Sequence, residues 1–273
     1  MLNTQEMLNV ALELAGLEKT TADAAVIVPG ENIKKVLVGI DINTPEVVIG
    51  KLLGYDCVCS HHPRNTDLSG MTDLFRGQMY TMFNEGVPLN EAQKLIELTA
   101  KGMEHSDHAF NFNRNASAAE VLCMPYLCIH TPADIIVENA LQKIFNERFG
   151  GKPETKLCEL MKVFDDILEY KRAVYAPEIA AGTPDSPCGR IKVIMSGVTD
   201  GGPEVTKAYF RAGIGTLVYM HCGEEDIKAA NEPEGGNIIN AGHMASDSYG
   251  MNRILEKWES MGVEVTRISG LIG

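Results

Sequence analysis

Long apolar runs are missing from this chain of 273 residues. No stretch approaches the roughly 20 residues needed to cross a bilayer. Positive charge is also short: 24 Lys and Arg stand against 37 Asp and Glu, a formal net charge of -13. That balance argues against non-specific binding to nucleic acid or to an anionic membrane, both of which need basic patches. It leaves room for a phosphate-bearing substrate, because a bound cation reverses the local field. The opening segment, MLNTQEMLNVALELAGL, lacks the basic n-region of a secretory signal and reads instead as an amphipathic helix. Seven cysteines occur without any CxxC spacing, and a chain of this size folds without disulfides. Cys57 and Cys59 alternate along one strand-like segment and read as buried thiols. A P-loop, a dinucleotide-binding glycine fingerprint and a Gly-x-Ser-x-Gly nucleophile elbow are all absent. These absences weigh against a kinase, a dehydrogenase and a serine hydrolase, and together they predict a cytoplasmic protein.

What is present is an α/β pattern with 45% hydrophobic residues, enough for a sizeable core. A strand over residues 33–40 ends at Asp41; Thr44-Pro45-Glu46 then starts a helix, with Thr as cap and Pro at the first helical position. Gly54 closes that helix, and a short strand over residues 56–60 completes a βαβ unit. Helical patterns follow over 73–101, interrupted at Gly86-Val87-Pro88, and over 132–148 and 155–171. The Pro, Gly and Ser density between Ala176 and Gly189 marks a loop or seam. The βαβ order then returns: strand 191–195, helix 203–212, strand 216–220, strand 237–240, helix 246–261 and strand 263–268.

The two βαβ units resemble each other, Pro45-Glu46-Val47 recurring as Pro203-Glu204-Val205 and Gly54 as Gly213. The expected fold is α/β, with two related βαβ-containing lobes facing each other across a metal-binding cleft. The expected boundaries are an N-terminal lobe over 1–125 with the His-His-Pro motif and a helical connection and loop over 126–189. A C-terminal lobe over 190–273 carries a Gly-His-x-x-x-Asp motif.

Histidine and carboxylate gather where these strands end. His61 and His62 stand together before Pro63, which removes a backbone donor and stops the strand. His243 and Asp247 are four residues apart near a helix start, a spacing that puts both on one face. Three imidazoles and a carboxylate are standard ligands of first-row metals and suit one or two ions. Asp41 fits the role of an acceptor that orients a ligating imidazole. Between these segments lies a polar cluster, Glu104-His105-Ser106-Asp107-His108. If extended, it puts His105 and Asp107 on one face and His108 on the other, so one inward-facing ligand is expected without deciding which. His130 and His221 read as hydrogen-bonded structural residues, and Glu224-Glu225-Asp226 as solvated acidic surface.

Gly39-Ile40-Asp41 with its following helix, Ser60-His61-His62-Pro63, and Gly242-His243 with an acid four residues on give the chain a resemblance to one family. It resembles the GTP cyclohydrolase 1 type 2 family, the Nif-three-like dinuclear metal-binding proteins. The resemblance implies a pair of divalent ions (Zn, Fe, Mn or Ni) held by His61, His62, His243 and Asp247, the last standing where the family usually has glutamate. The family's middle motif usually reads His-Thr-x-x-Asp, with Gly-Gly-x-Asn after it. Aligning Asn115 with that final Asn puts Glu104 at the family histidine and His108 at the family aspartate, or Asp107 if the register slips by one. The resemblance further implies a homohexamer and a metal-dependent hydrolase of a nucleotide or related phosphorylated small molecule. Glu104 or Asp107 would then be a proton carrier if it does not bind metal. The alternative it leaves is a non-catalytic metal-binding assembly or regulatory protein.

Overall fold

The chain's first helix is set by its own opening residues. Asn3 accepts the Glu6 amide and Glu6 accepts the Asn3 amide, each at 2.8 Å, a reciprocal cap that starts α1 (Thr4–Ala15). In this computed structural model, which describes residues 1–62, 71–109, 111, 113–196 and 201–273, the succession after α1 alternates strands and helices. It runs β1 (Ala24–Val28), β2 (Lys35–Gly39), α2 (Thr44–Leu52), β3 (Cys57–Ser60), α3 (Met71–Asn84), α4 (Leu89–Asp107) and α5 (Arg114–Val121). Then come β4 (Tyr126–Ile129), α6 (Thr131–Phe149), α7 (Leu157–Asp165), α8 (Leu168–Arg172), β5 (Glu178–Ala181) and β6 (Arg190–Ile194). The last elements are α9 (Pro203–Arg211), β7 (Ile214–Tyr219), α10 (Glu224–Ala230), β8 (Asn237–Asn240), α11 (His243–Ser260) and β9 (Glu264–Ile268). Among the described residues no helix is long and apolar enough to cross a membrane.

The chain divides into two compact units. The first comprises Met1–Met71, Ser106–Ile136 and Asp247–Gly273, and the second Thr72–His105 and Val137–Ser246. Neither is contiguous, so they do not follow the lobes 1–125, 126–189 and 190–273 expected from the sequence. The physical reason is strand pairing: β9, at the end of the chain, hydrogen-bonds along the whole of β2.

In the first unit the strand order is β1-β4-β3-β2-β9, parallel except for β1, which runs antiparallel to β4. The runs Cys57-Val58-Cys59 and Tyr126-Leu127-Cys128-Ile129 are buried throughout, as parallel strands covered on both faces require. Trp258 on α11 is wholly buried and its indole N–H donates to the Met7 carbonyl at 3.1 Å, which ties the last helix to the first. In the second unit the order is β5-β8-β7-β6, again parallel but for the first strand named. Its core gathers Phe75, Met82, Ile96, Tyr209, Leu217 and Ile238 from α3, α4, α9 and the sheet.

Three short strands, β1, β4 and β5, have no counterpart in the sequence reading. Four or five residues long, they are too brief for alternation to stand out. The polar cluster at 104–108 is not extended: residues 104–107 finish α4. The segment at 155–171 is two helices, α7 and α8. Glu224-Glu225-Asp226 opens α10, and Asp226 is buried with its carboxylate accepting the Thr206 hydroxyl at 2.7 Å.

Candidate metal centre

Three adjacent parallel strands of the first unit deliver polar residues to one edge of its sheet. The register pairs Gly39 with Ser60 and Ser60 with Cys128, so Asp41, His61-His62 and His130 lie just past the carboxyl ends of β2, β3 and β4. The ladder continues beyond the strands, with the His61 and His62 amides donating to the Gly39 and Ile40 carbonyls at 2.9 Å. This is where open α/β sheets place their sites. Gly39 is required by the crowding: a Cβ there would lie 2.9 Å from the Ile42 side chain and 3.1 Å from the Ile268 carbonyl.

Each imidazole is oriented by a hydrogen bond from Nδ1. His61 Nδ1 lies 3.0 Å from the Ile129 carbonyl, His62 Nδ1 2.9 Å from Asp41 Oδ1, and His130 Nδ1 2.6 Å from Asp23 Oδ2. A carbonyl or carboxylate oxygen only accepts, so Nδ1 carries the proton in all three rings and each Nε2 faces the other way. Two carboxylates alternate with those Nε2 atoms. Asp247 presents Oδ1 to His61 at 3.5 Å and Oδ2 to His62 at 3.4 Å. Asp134 presents Oδ1 to His61 at 3.5 Å and Oδ2 to His130 at 3.7 Å. The sequence His62–Asp247–His61–Asp134–His130 is a ladder of five side chains, and the His61 and Asp247 side chains have no solvent exposure.

Charge in this cluster is unbalanced. His61 Nε2 and Asp134 Oδ1 are buried and have no hydrogen-bond partner among the described residues, although they face each other. Burial drives the Asp134 carboxyl well above the ordinary carboxylate range; His130 pulls it back, and Asp247 and Asp23 push it further up. Burial opposes the charging of His130, yet Asp134, Asp23 and Asp247 lift it to about 9. Asp23 resists burial through its bonds from His130, Thr21 and Thr131 and is held at about 2. A cluster with more carboxylate than cation, and with lone pairs turned toward carboxylate oxygens, fits a metal ion. Ligands at ~2.1 Å from a common ion stand ~3.0–3.4 Å apart, close to the separations found here. The donor atoms of His61, Asp134 and Asp247 all lie within 4.8 Å of one another, as do those of His61, His62 and His130. Neutral imidazole and carboxylate are the right donors for a first-row divalent ion.

The arrangement of α11 against α6 brings the two aspartates together. Gly250 stands so close to the first turn of α6 that a Cβ would lie 2.1 Å from the Ala133 carbonyl oxygen. Asp247 and Asp134 each sit beside this contact, one turn before Gly250 and one residue after Ala133.

The residues expected from the sequence fall out as follows. His61, His62 and Asp247 come together, with Asp41 bonded to His62; Pro63 lies outside the described residues. His243 opens α11 one turn ahead of Asp247, and its ring packs against His221 at 4.8 Å between centroids. Glu104 pairs with Arg76 at 2.7 Å, and His105 and His108 are exposed. The side chain of Asp107 is outside the described set. Among the described residues, no grouping of three potential ligands includes Glu104, His105 or His108. His130 and Asp134 were missed. The signal was present: His130-Thr131-Pro132-Ala133-Asp134 repeats the His-x-x-x-Asp spacing of His243 and Asp247, and Thr131-Pro132 repeats the Thr44-Pro45 helix start.

Among solved structures, a NIF3 superfamily protein from Sphaerobacter thermophilus matches at 32% identity and a TM-score of 0.94, covering 99% of each chain. The chain belongs to the NIF3 superfamily. HcgD from Methanocaldococcus jannaschii, in its reduced form, matches at 13% identity with a TM-score of 0.59 over 98% of each chain. A Bacillus cereus protein related to NIF3 matches at 10% identity with a TM-score of 0.51, over 98% of this chain and 96% of its own. These two show a shared fold. No protein-family model and no curated protein matches the chain. Within the NIF3 reading, the His-Thr-x-x-Asp motif stands literally at 130–134. Asn115, on which the alignment of Glu104 and His108 with that motif rests, donates to the Ile42 carbonyl at 2.8 Å. His/Asp clusters able to hold metal ions are therefore a property of this NIF3 chain.

Proposed function

We propose that the chain binds two divalent ions at this edge of the sheet and acts as a metal-dependent hydrolase on a nucleotide or related phosphorylated small molecule. The observation that carries the reading is the ladder of alternating Nε2 atoms and carboxylates, with Asp247 turned by its two oxygens toward two different imidazoles. His61, His62, His130, Asp134 and Asp247 would hold the ions, with His243 one helical turn ahead of Asp247 on the same face of α11. Bound divalent ions of Zn, Fe, Mn or Ni type would supply Lewis acidity and a water acidified to near neutrality. The chain's own part is to fix the ligands, through the Nδ1 bonds to Asp41, Ile129 and Asp23, and to shield them from solvent. Glu104 and Asp107 enter the proposal as proton carriers; for Glu104 this requires the carboxylate to leave Arg76. The ligand role first given to His108 passes in this proposal to His130 and Asp134. The family resemblance supports the further proposal of a homohexamer in the cytoplasm, with GTP ring opening as the first reaction to test.

The burial of His61, Asp134 and Asp247 favours a second reading, a non-catalytic metal-binding assembly, since a structural ion is closed off by protein ligands. One experiment separates the two. Elemental analysis of the purified protein is paired with a nucleotide and phosphoester screen of wild type and Asp247→Ala. We expect the variant to lose metal and turnover together. Metal retained by Asp247→Ala would overturn the site, whereas wild-type metal without turnover would establish the second reading.

A further inference from the structure

The antiparallel edge strand of the first unit has a consequence beyond completing the sheet. Because β1 pairs with β4 in the register Ala24 to Ile129, the residue before β1 stands beside the residue after β4. Those residues are Asp23 and His130. Asp23 is buried, and every contact it makes tends toward one orientation. Its Oδ2 accepts His130 Nδ1 at 2.6 Å, the Thr131 hydroxyl at 2.7 Å and the Thr131 amide at 3.2 Å, while Oδ1 accepts the Thr21 hydroxyl at 2.6 Å. A carboxylate held from four directions cannot rotate away from the imidazole. It therefore differs from Asp41, which orients His62 from a side chain 40% exposed.

We propose that Asp23 is a positioning residue for the metal centre: it fixes the Nδ1–H tautomer of His130 and so keeps Nε2 turned toward Asp134. This inference rests on the metal-binding reading above and assigns a role to a residue outside the donor set. It also gives the strand β1 a purpose, that of placing just before it a carboxylate that reaches His130 from behind.

The test compares wild type with Asp23→Ala, Asp23→Asn and Asp23→Glu by zinc affinity in chelator competition and by the hydrogen-bonded Nδ1–H resonance of His130 in the zinc-saturated protein. Circular dichroism and melting midpoints report the fold. Loss of a hydrogen-bond partner behind a ligating imidazole lowers metal affinity about 10–100-fold. We expect a loss of that size for Asp23→Ala, accompanied by loss of the Nδ1–H signature of His130. A smaller loss is expected for Asp23→Asn, whose carbonyl still accepts, and partial recovery for Asp23→Glu. If Asp23→Ala is poorly folded, Asp23→Asn carries the comparison. Wild-type zinc affinity and an unchanged His130 tautomer in a folded variant would overturn the proposal. So would zinc loss that tracks only the loss of fold, with the tautomer intact. A wild-type protein that takes up no zinc at all would instead bring down the metal-binding reading on which this one depends.

Discussion

The two units of this chain use one strand plan for different ends. Each places an antiparallel strand first, then three parallel strands in the order last-to-first: β1-β4-β3-β2 in one, β5-β8-β7-β6 in the other. Each connects its first two parallel strands by a helix that carries Pro-Glu-Val, α2 and α9. What differs is the residues that follow the strands. In the first unit the ends of β2, β3 and β4 lead to Asp41, His61-His62 and His130. In the second, β6 leads to Met195-Ser196, β7 to Met220-His221, and β8 to Gly242-His243 past Asn240, whose side-chain amide donates to Glu178 at 3.3 Å. The exposed edges are managed differently too. In the first unit β9 covers β2 with backbone hydrogen bonds. In the second, α6 side chains do the work: Gln142 and Glu138 accept the amides of Val193, Met195 and Ser196 at 2.9–3.0 Å. The scaffold is a repeat, and the ladder of alternating imidazoles and carboxylates is an addition to its first copy.

Matched substitutions break this comparison most directly. His62 and His221 end corresponding strands, β3 and β7. His62→Ala removes an Nε2 that faces Asp247, and essentially complete loss of at least one ion is expected by elemental analysis. His221→Ala removes an exposed ring from the other unit, and wild-type metal content is expected. Equal metal loss in both variants would show that His221, through the His243 ring it packs against, matters to the ions as much as His62 does.

A second substitution tests how the aspartates are brought together. Gly250→Ala puts a methyl group 2.1 Å from the Ala133 carbonyl, a contact that only backbone movement relieves. Overpacking of this kind costs roughly 1–3 kcal/mol. We expect a lower urea midpoint together with reduced metal affinity, because Asp247 and Asp134 stand on the two helices forced apart. In contrast, Gly77→Ala on α3 of the second unit meets nothing within 4 Å and is expected to leave metal affinity unchanged and to raise the urea midpoint slightly, as an Ala replaces a Gly inside a helix. A folded Gly250→Ala variant with wild-type midpoint and affinity would show that close approach is not what sets the aspartates.

Much of this contrast was legible in the sequence. The repeat showed in Pro-Glu-Val and the paired glycines, and Ser60-His61-His62 announced itself because two polar residues ended an apolar strand. His130 escaped notice because β4 is four residues long and its end looked like an ordinary turn before Thr131-Pro132. Asp134 escaped because an acid in the first turn of a helix is well explained by the helix dipole alone. Asp23 could not be found by spacing at all: it reaches His130 across 107 residues through antiparallel pairing, a contact set by topology. Conversely, the density of charge at 104–108 drew attention to a helix end whose carboxylate turns to an arginine. Local charge density identifies a site only when the fold turns the charges inward.

The smallest expected effect concerns that arginine. Arg76 on α3 donates to Glu97 at 3.0 Å and to Glu104 at 2.7 Å, binding α3 to α4 within the second unit. The hydrogen bond from Arg76 holds the Glu97 carboxyl below its ordinary value of 4.5, against the weaker opposing effect of burial. A carboxyl lowered in the folded state contributes stability that is fully present above its unfolded value and is lost as the pH falls through its folded value. The melting midpoint of wild type should therefore exceed that of Glu97→Gln by a small margin at pH 7 in low salt. The margin should close as the pH is taken below 4.5, and added salt should narrow it at pH 7, as for any solvent-exposed pair. Metal affinity should be unaffected in Glu97→Gln at pH 7, because the ladder belongs to the other unit. A change in zinc binding on losing this bridge would mean that the acidic end of α4 has a part in the metal centre, and would return Glu104 to the candidate ligands.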